Sequence, residues 1–333
     1  MKITIIGDGG WGTAMGLLLN ANGHAITLWG PFEDYLEEIR RTGENTRYLK
    51  GVPLPNTLRW TASPDEAVAG AELVVLAMPS KFFAEVCRRF VGLIPPTIPV
   101  VSLTKGLCEA THCRMSELAQ EILHIPYVVV LSGPSHAEEV ARHIPTAVVA
   151  ACEDEARAQQ IQQLFTSPFF RVYTSTDTVG VEIGGAVKNV IAIAVGASDG
   201  LGFGDNTRAA LITRGLAEIT RFGIAFGAKP ETLSGLSGVG DLIVTCTSQH
   251  SRNHTVGERL GKGEAIHDIL SSMTMVAEGV WNAKVIFALA KHAGVSMPIT
   301  EAVYGLCYEN LSVKDALVQI ISRDAKPEYS NPT

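Results

Sequence analysis

The sequence predicts an α/β domain built on a mainly parallel, doubly wound sheet, followed by an all-α C-terminal domain. Three features lead there. Short apolar runs alternate with helical stretches as far as Tyr173, strand signals nearly stop after it, and a glycine loop follows the first run. At roughly 150 residues per domain, the 333 residues make two domains the first expectation. The change of pattern divides them into 1–176 and 177–333.

Each element follows from its local pattern. The runs KITIIG, HAITLW, ELVVLAMP, PVVSLTKG, YVVVLSGP, TAVVAAC and FFRVYT are strand-sized. Most are continuous in Val, Ile and Leu, as strands covered on both faces by helices must be. From Asp177 onward the chain reads as helices: 176–200, 206–227, 278–294, 298–310 and 312–324. Several of these open on Asp, Ser, Asn or Pro and close on Gly. The last residues, KPEYSNPT, read as a frayed tail.

Composition removes several classes of function. Apolar residues make up 46% and charged residues 18%, which excludes a disordered chain. The longest apolar stretches, such as Leu73–Met78 and Tyr127–Leu131, fall short of the roughly 18 residues of a membrane span. Gly7, Asp8 and two further glycines interrupt the first apolar run before it could serve as a signal-peptide core, so a soluble, cytoplasmic protein is expected. Six cysteines at irregular spacings without a CxxC pair suggest reduced thiols and no thiolate metal site. A net charge of −7 argues against nucleic acid or anionic membrane as a partner. An anionic ligand would therefore need positive charge concentrated locally.

The first run leads directly into GDGGWG, which places Gly7, Gly9 and Gly12 in a G-x-G-x-x-G pattern ahead of a helical stretch. In that setting the glycines serve a tight turn, close approach of backbone to a pyrophosphate, and close packing of helix on strand. Dinucleotide binding is the reading, against a merely structural turn. Asp8 puts a carboxylate inside the loop, where it would repel pyrophosphate, so its side chain is expected to point away. The acid usual at the tip of the second strand is missing. Trp29-Gly30-Pro31 stands there with no adjacent Arg either, which leaves NAD and NADP both open.

Polar residues then collect where ligands bind in open α/β sheets. The fourth run ends in Thr104-Lys105-Gly106 and the fifth in Ser132-Gly133-Pro134-Ser135, both at carboxyl ends of parallel strands. Lys105 could equally be a solvated lysine at a strand end. Lys188 and Asn189 lie in the middle of a helix that is apolar nearly all round. Lowering a lysine from about 10.4 toward 7–8 takes about 3–4 kcal/mol, and desolvation there would suit a group that exchanges a proton near neutrality. The bland alternative is a snorkelling lysine at an interdomain crevice. The segment 235–254, read as loop-rich, supplies Asp241, Thr245, Ser251, Arg252 and Asn253, with Arg252 shaped for bidentate contact with phosphate. His250 and His254 have the spacing of a metal pair without an HExxH context, and they read, like His112, as surface histidines. No metal is expected.

The strings GDGGWG, TKG at 104–106, LSGPS at 131–135, GGAVKN at 184–189, LITRGLAE at 211–218, GVGDLIVTCTS at 238–248, SRN at 251–253 and AEG at 277–279 occur in a specific order. In this order and spacing the chain resembles the bacterial-type NAD(P)-dependent glycerol-3-phosphate dehydrogenases from its first strand to its last helices. The resemblance implies a Rossmann domain followed by an all-helical domain, with the active site between them. It further implies interconversion of sn-glycerol 3-phosphate and dihydroxyacetone phosphate with NAD or NADP, supplying glycerol 3-phosphate for phospholipid synthesis. By the same resemblance Lys188 exchanges the proton at the C2 oxygen, with Lys105, Asp241 and Thr245 in the catalytic group. Gly133, Ser135, Asn189, Asp241, Ser251, Arg252 and Asn253 would line the substrate site with the two lysines. Gly10, Trp11, Lys105, Ala137, Arg252, Val276 and Glu278 would meet the dinucleotide alongside Gly7, Gly9 and Gly12. Members of this family often carry a basic residue shortly after the Trp of the second strand, where Pro31 stands here.

Two rival readings accompany this one: a β-hydroxyacid or 6-phosphogluconate type dehydrogenase, which shares the plan and an active-site lysine, and a non-catalytic dinucleotide sensor. The sensor would be expected to lack Lys188 or the Arg252 segment. Helical domains of this sort often pair, so a homodimer is the expected assembly.

Overall fold

The computed structural model describes residues 1–321 and 327–328. The expected tail at 326–333 and the last residues of the helix expected to reach 324 lie largely outside the described residues. Eight strands form one sheet: β1 (Lys2–Ile6), β2 (Ala25–Trp29), β3 (Arg59–Thr61), β4 (Leu73–Leu76), β5 (Val100–Ser102), β6 (Val129–Ser132), β7 (Thr146–Ala151) and β8 (Phe170–Ser175). Their order is β3-β2-β1-β4-β5-β6-β7-β8. All neighbours run parallel except β6 and β7. Seven of these strands match the runs read from sequence. The addition is β3, a three-residue edge strand that pairs through Thr27 and Arg59.

β1 pairs with β2 on one side and β4 on the other, so the chain direction around the sheet reverses there. The glycine loop leaves β1 at that reversal, where such sheets open a crevice. Alternate residues of the strands feed the two faces. Ile3 and Ile5 pack with Met15 and Leu18 of the helix Gly10–Ala21. Ile6, Val74 and Leu76 pack with Phe83 and Phe90 on the other side. Each such side chain stabilises the fold by about 1.5–3 kcal/mol when removed from water.

The second half is built around the helix Thr178–Gly200, nineteen of whose 23 residues are buried. Asp177 caps it by accepting from the Gly180 amide at 2.8 Å and also takes the Lys229 amide at 2.8 Å. This helix has the length and hydropathy of a membrane span, but 94% of its most apolar window is buried inside the protein, the setting of a core helix. Helices Asp205–Ala225, Arg252–Gly261, Glu278–His292 and Pro298–Tyr308 surround it.

Glycines set one of these crossings. A Cβ on Gly196 would run into the His254 carbonyl, and one on Gly257 into the carbonyl of Ile193. The two backbones therefore touch, and the start of Arg252–Gly261 is held beside the middle of the long helix. Segment 235–254 is more ordered than its composition suggested. A π-helical turn at Leu236–Gly240 leads into the helix Asp241–Thr247. Ser251 then caps Arg252–Gly261 by accepting from the His254 amide at 3.3 Å. The glycines that read as loop permit tight backbone packing instead: a Cβ on Gly184 would lie 2.6 Å from the Ser237 carbonyl oxygen.

Candidate active site

A cleft of about 610 Å³ runs from the glycine loop to the middle of the long helix. Gly7, whose φ of +130° only glycine adopts readily, turns the chain out of β1 beside Ala77. Gly9 precedes the helix Gly10–Ala21 and no side-chain cap bonds to it, and a Cβ there would meet nothing within 4 Å. The helix therefore opens on bare backbone at the cleft, a favourable place for negative charge. Gly7, Gly9, Gly10 and Trp11 line the cleft. Gly12 stands behind it, where a Cβ would strike the Gly7 carbonyl, so its contribution is the packing of helix on loop.

At the far end two lysines share one carboxylate. Lys188 Nζ donates to Asp241 Oδ1 at 2.7 Å and to Thr245 Oγ1 at 2.6 Å. Lys105 Nζ donates to Asp241 Oδ2 at 2.7 Å and to the Gly133 carbonyl at 2.9 Å. Lys188 is only 5% exposed and Asp241 1%. Burial pulls the Lys188 ammonium down to about 8, against the pull of Asp241, which favours its charged form. The two ammonium groups hold the Asp241 carboxyl below the usual carboxylate range despite its burial. With one carboxylate between two ammonium groups the cluster carries net positive charge, in a chain whose overall balance is negative. This is the local concentration that an anionic ligand requires.

The glycine-packed crossing brings the third cationic group. Arg252 lies on the surface of the cleft and donates through Nη1 to the Val276 carbonyl at 3.0 Å. Ser251 and Asn253 are buried beside it. The Asn253 amide nitrogen donates to Asn189 Oδ1 at 2.9 Å, and its oxygen accepts from the Gly279 amide at 2.8 Å. Asn189 and Asn253 thus tie the long helix to the starts of two others. Ser135, Ala137, Val276 and Glu278, also singled out from sequence, line the cleft too. Gly133, with φ of +145°, reaches the site only through its carbonyl. Glu278 also clasps the sheet domain, accepting from the Ser80 amide at 2.9 Å and from its hydroxyl.

Some of the lining was not foreseen. Phe32, Phe82, Glu85 and Arg89 border the cleft at the tips of β2 and β4. The apolar run that ends at Pro79 marks that edge, but not which following side chains face inward. His136 lines the cleft as well; burial, aided by the two lysines, lowers its pKa. His250 lies at the rim with its ring centroid 5.8 Å from that of His136, while His254 bonds Asp199 at 2.7 Å. The two histidines of the metal-like spacing thus face different partners.

The residues present fit a dinucleotide. The indole nitrogen of Trp11 and Nε2 of His136 are buried without a hydrogen-bond partner, both in residues that border the cleft, and Gly9 leaves open space over the helix end. A sheet of this order, with its glycine loop at the reversal and a lysine pair facing it, belongs to the dinucleotide-dependent oxidoreductases.

Comparison with known proteins narrows the class. The family model described as NAD-dependent glycerol-3-phosphate dehydrogenase N-terminus matches residues 2–158, and its C-terminal counterpart matches 177–318. The chain is 46% identical over 331 residues to a glycerol-3-phosphate dehydrogenase (NAD(P)+) of Chlorobium luteolum, covering 98% of this chain and 99% of the relative. It is 48% identical over 331 residues to one of Geobacter sulfurreducens, covering 98% of each. The crystal structure of glycerol-3-phosphate dehydrogenase from Coxiella burnetii superposes with a TM-score of 0.92 at 38% identity, covering 97% of this chain and 99% of that one. The chain belongs to the NAD-dependent glycerol-3-phosphate dehydrogenase family.

Proposed function

We propose that the protein interconverts sn-glycerol 3-phosphate and dihydroxyacetone phosphate with NAD or NADP, within a cleft between a dinucleotide-binding domain at 1–176 and a substrate domain at 177–333. The observation that carries this reading is the buried chain Lys188–Asp241–Lys105, set in the same cleft as the glycine loop and Arg252. Membership of the family favours it over a hydroxyacid dehydrogenase or a non-catalytic sensor.

The nicotinamide, when bound, accepts or supplies the hydride. The chain's own residues handle the proton and the charge. With its pKa brought down to about 8 by burial, Lys188 can take the hydroxyl proton at C2 during oxidation and return it during reduction. Asp241 holds both amines in place. Lys105 adds fixed positive charge where oxyanion character develops. Arg252 and the amides that open Arg252–Gly261 suit the phosphate ester, and Ser251 and Asn253 hold that helix end in register. Trp11 and the helix opening at Gly10 suit the dinucleotide.

The test is an absorbance assay at the nicotinamide band with dihydroxyacetone phosphate, run side by side with NADH and NADPH. Consumption of reduced cofactor that depends on dihydroxyacetone phosphate supports the reading. Turnover with β-hydroxy acids but not with glycerol 3-phosphate would overturn it. A cytoplasmic, homodimeric enzyme that provides glycerol 3-phosphate for phospholipid synthesis completes the proposal, and light scattering on the eluting protein checks the dimer.

A further inference from the structure

Sheets that bind dinucleotides usually present an acid at the tip of β2 to the adenosine ribose, and here the strand is followed by Gly30, Pro31 and Phe32. The carboxylate arrives from the glycine loop instead. A Cβ built on Gly30 would lie 2.5 Å from Asp8 Oδ2 and 2.7 Å from its Cγ. The Asp8 carboxyl therefore rests against the bare Cα of Gly30, the residue that follows β2.

This carboxyl is poised for a donor. Asp8 lines the cleft, and Asn45 fixes its backbone by donating to the Asp8 carbonyl at 2.8 Å. Burial pushes the carboxyl up to about 6, opposed by a hydrogen bond from its own amide and by the charge of Arg47. Arg47 is itself engaged, stacked over the Tyr35 ring at 4.1 Å and 3.6 Å from Glu38. The other cation at this end, Arg89, lies 5.7 Å from the Trp29 ring and pairs with Glu85 at 3.4 Å, and Glu85 borders the cleft too. A 2′-phosphate would meet two carboxylates and a guanidinium that already has a partner.

We propose that Asp8 determines cofactor choice: its carboxylate accepts the 2′- and 3′-hydroxyls of the adenosine ribose and repels a 2′-phosphate, so the enzyme prefers NAD(H) to NADP(H). The inference rests on the dinucleotide reading of the cleft. Hydrogen bonds to a charged group are strong enough to shift an affinity by about tenfold or more.

Calorimetric titration of the full chain with NADH and with NADPH, without substrate, tests it. The native protein is expected to bind NADH at least about tenfold more tightly. In Asp8→Asn and Asp8→Ser, NADH binding weakens and NADPH binding strengthens, so the ratio falls toward one. A purely structural role would weaken both nucleotides alike, and an unchanged ratio in the variants overturns the proposal. Equal or tighter binding of NADPH by the native protein overturns it without recourse to any variant. Binding of neither nucleotide overturns the dinucleotide reading itself, and this inference with it.

Discussion

Lys188 and Asp241 are joined by a 2.7 Å hydrogen bond between Nζ and Oδ1, both almost wholly out of water, across 53 positions of sequence. Asp241 keeps the amine oriented and partly offsets the cost of its burial. Lys105, on the other oxygen, raises the local positive charge. The triad therefore tunes one amine with two opposing neighbours.

Removing the amine should stop chemistry and spare cofactor binding. Positioned acid–base groups commonly contribute about 10²–10⁴-fold, so Lys188→Ala is expected to lose at least that much in kcat. NADH titrated by fluorescence should bind as before. Near-normal turnover would exclude Lys188 from proton transfer.

The pH dependence follows from the lowered pKa of about 8. Oxidation needs the neutral amine, so kcat/KM for glycerol 3-phosphate should rise with pH through about 8. Reduction needs the ammonium, so kcat/KM for dihydroxyacetone phosphate should fall over the same range. Profiles flat there in both directions would contradict the assignment.

Asp241→Asn takes away the charge that favours the Lys188 ammonium and leaves Lys105 to oppose it. The inflection of the oxidation profile should then move to lower pH, with turnover reduced because neither amine is held by a carboxylate. An inflection that moved upward would mean that Asp241 is not the dominant partner.

Arg252→Ala is expected to act on substrate binding. KM for the phosphorylated substrate should rise about 10–100-fold, the span of a hydrogen-bonded charge contact, with a smaller change in kcat. An unchanged KM would place the phosphate elsewhere.

Stability should respond at the glycine crossing. A methyl group at Gly257 would press on the Ile193 carbonyl, and overpacking of this kind costs about 1–3 kcal/mol. Urea unfolding of Gly257→Ala should show that loss in the midpoint with an unchanged slope.

Much of this was legible in the sequence, for physical reasons. Strands buried on both faces announce themselves as continuous apolar runs, and the long helix was visible because its apolar stretch opens on Asp177 and closes on Gly200. β3 escaped because Arg59–Thr61 is three residues at an edge, too short for any period. The helices Asp241–Thr247 and Arg252–Gly261 escaped because glycines serving close packing read as loop. Lys188 was conspicuous as a charge inside an apolar helix. Its partnership with Asp241, and that of Lys105 with the same carboxylate 136 positions away, depends on tertiary placement, as does the way Asp8 lies on Gly30.

Where Gly196 and Gly257 let two backbones touch, no side chain lies between them to swing into another rotamer. The spacing of the two backbones that carry Lys188 and Arg252 is then fixed by main-chain contact.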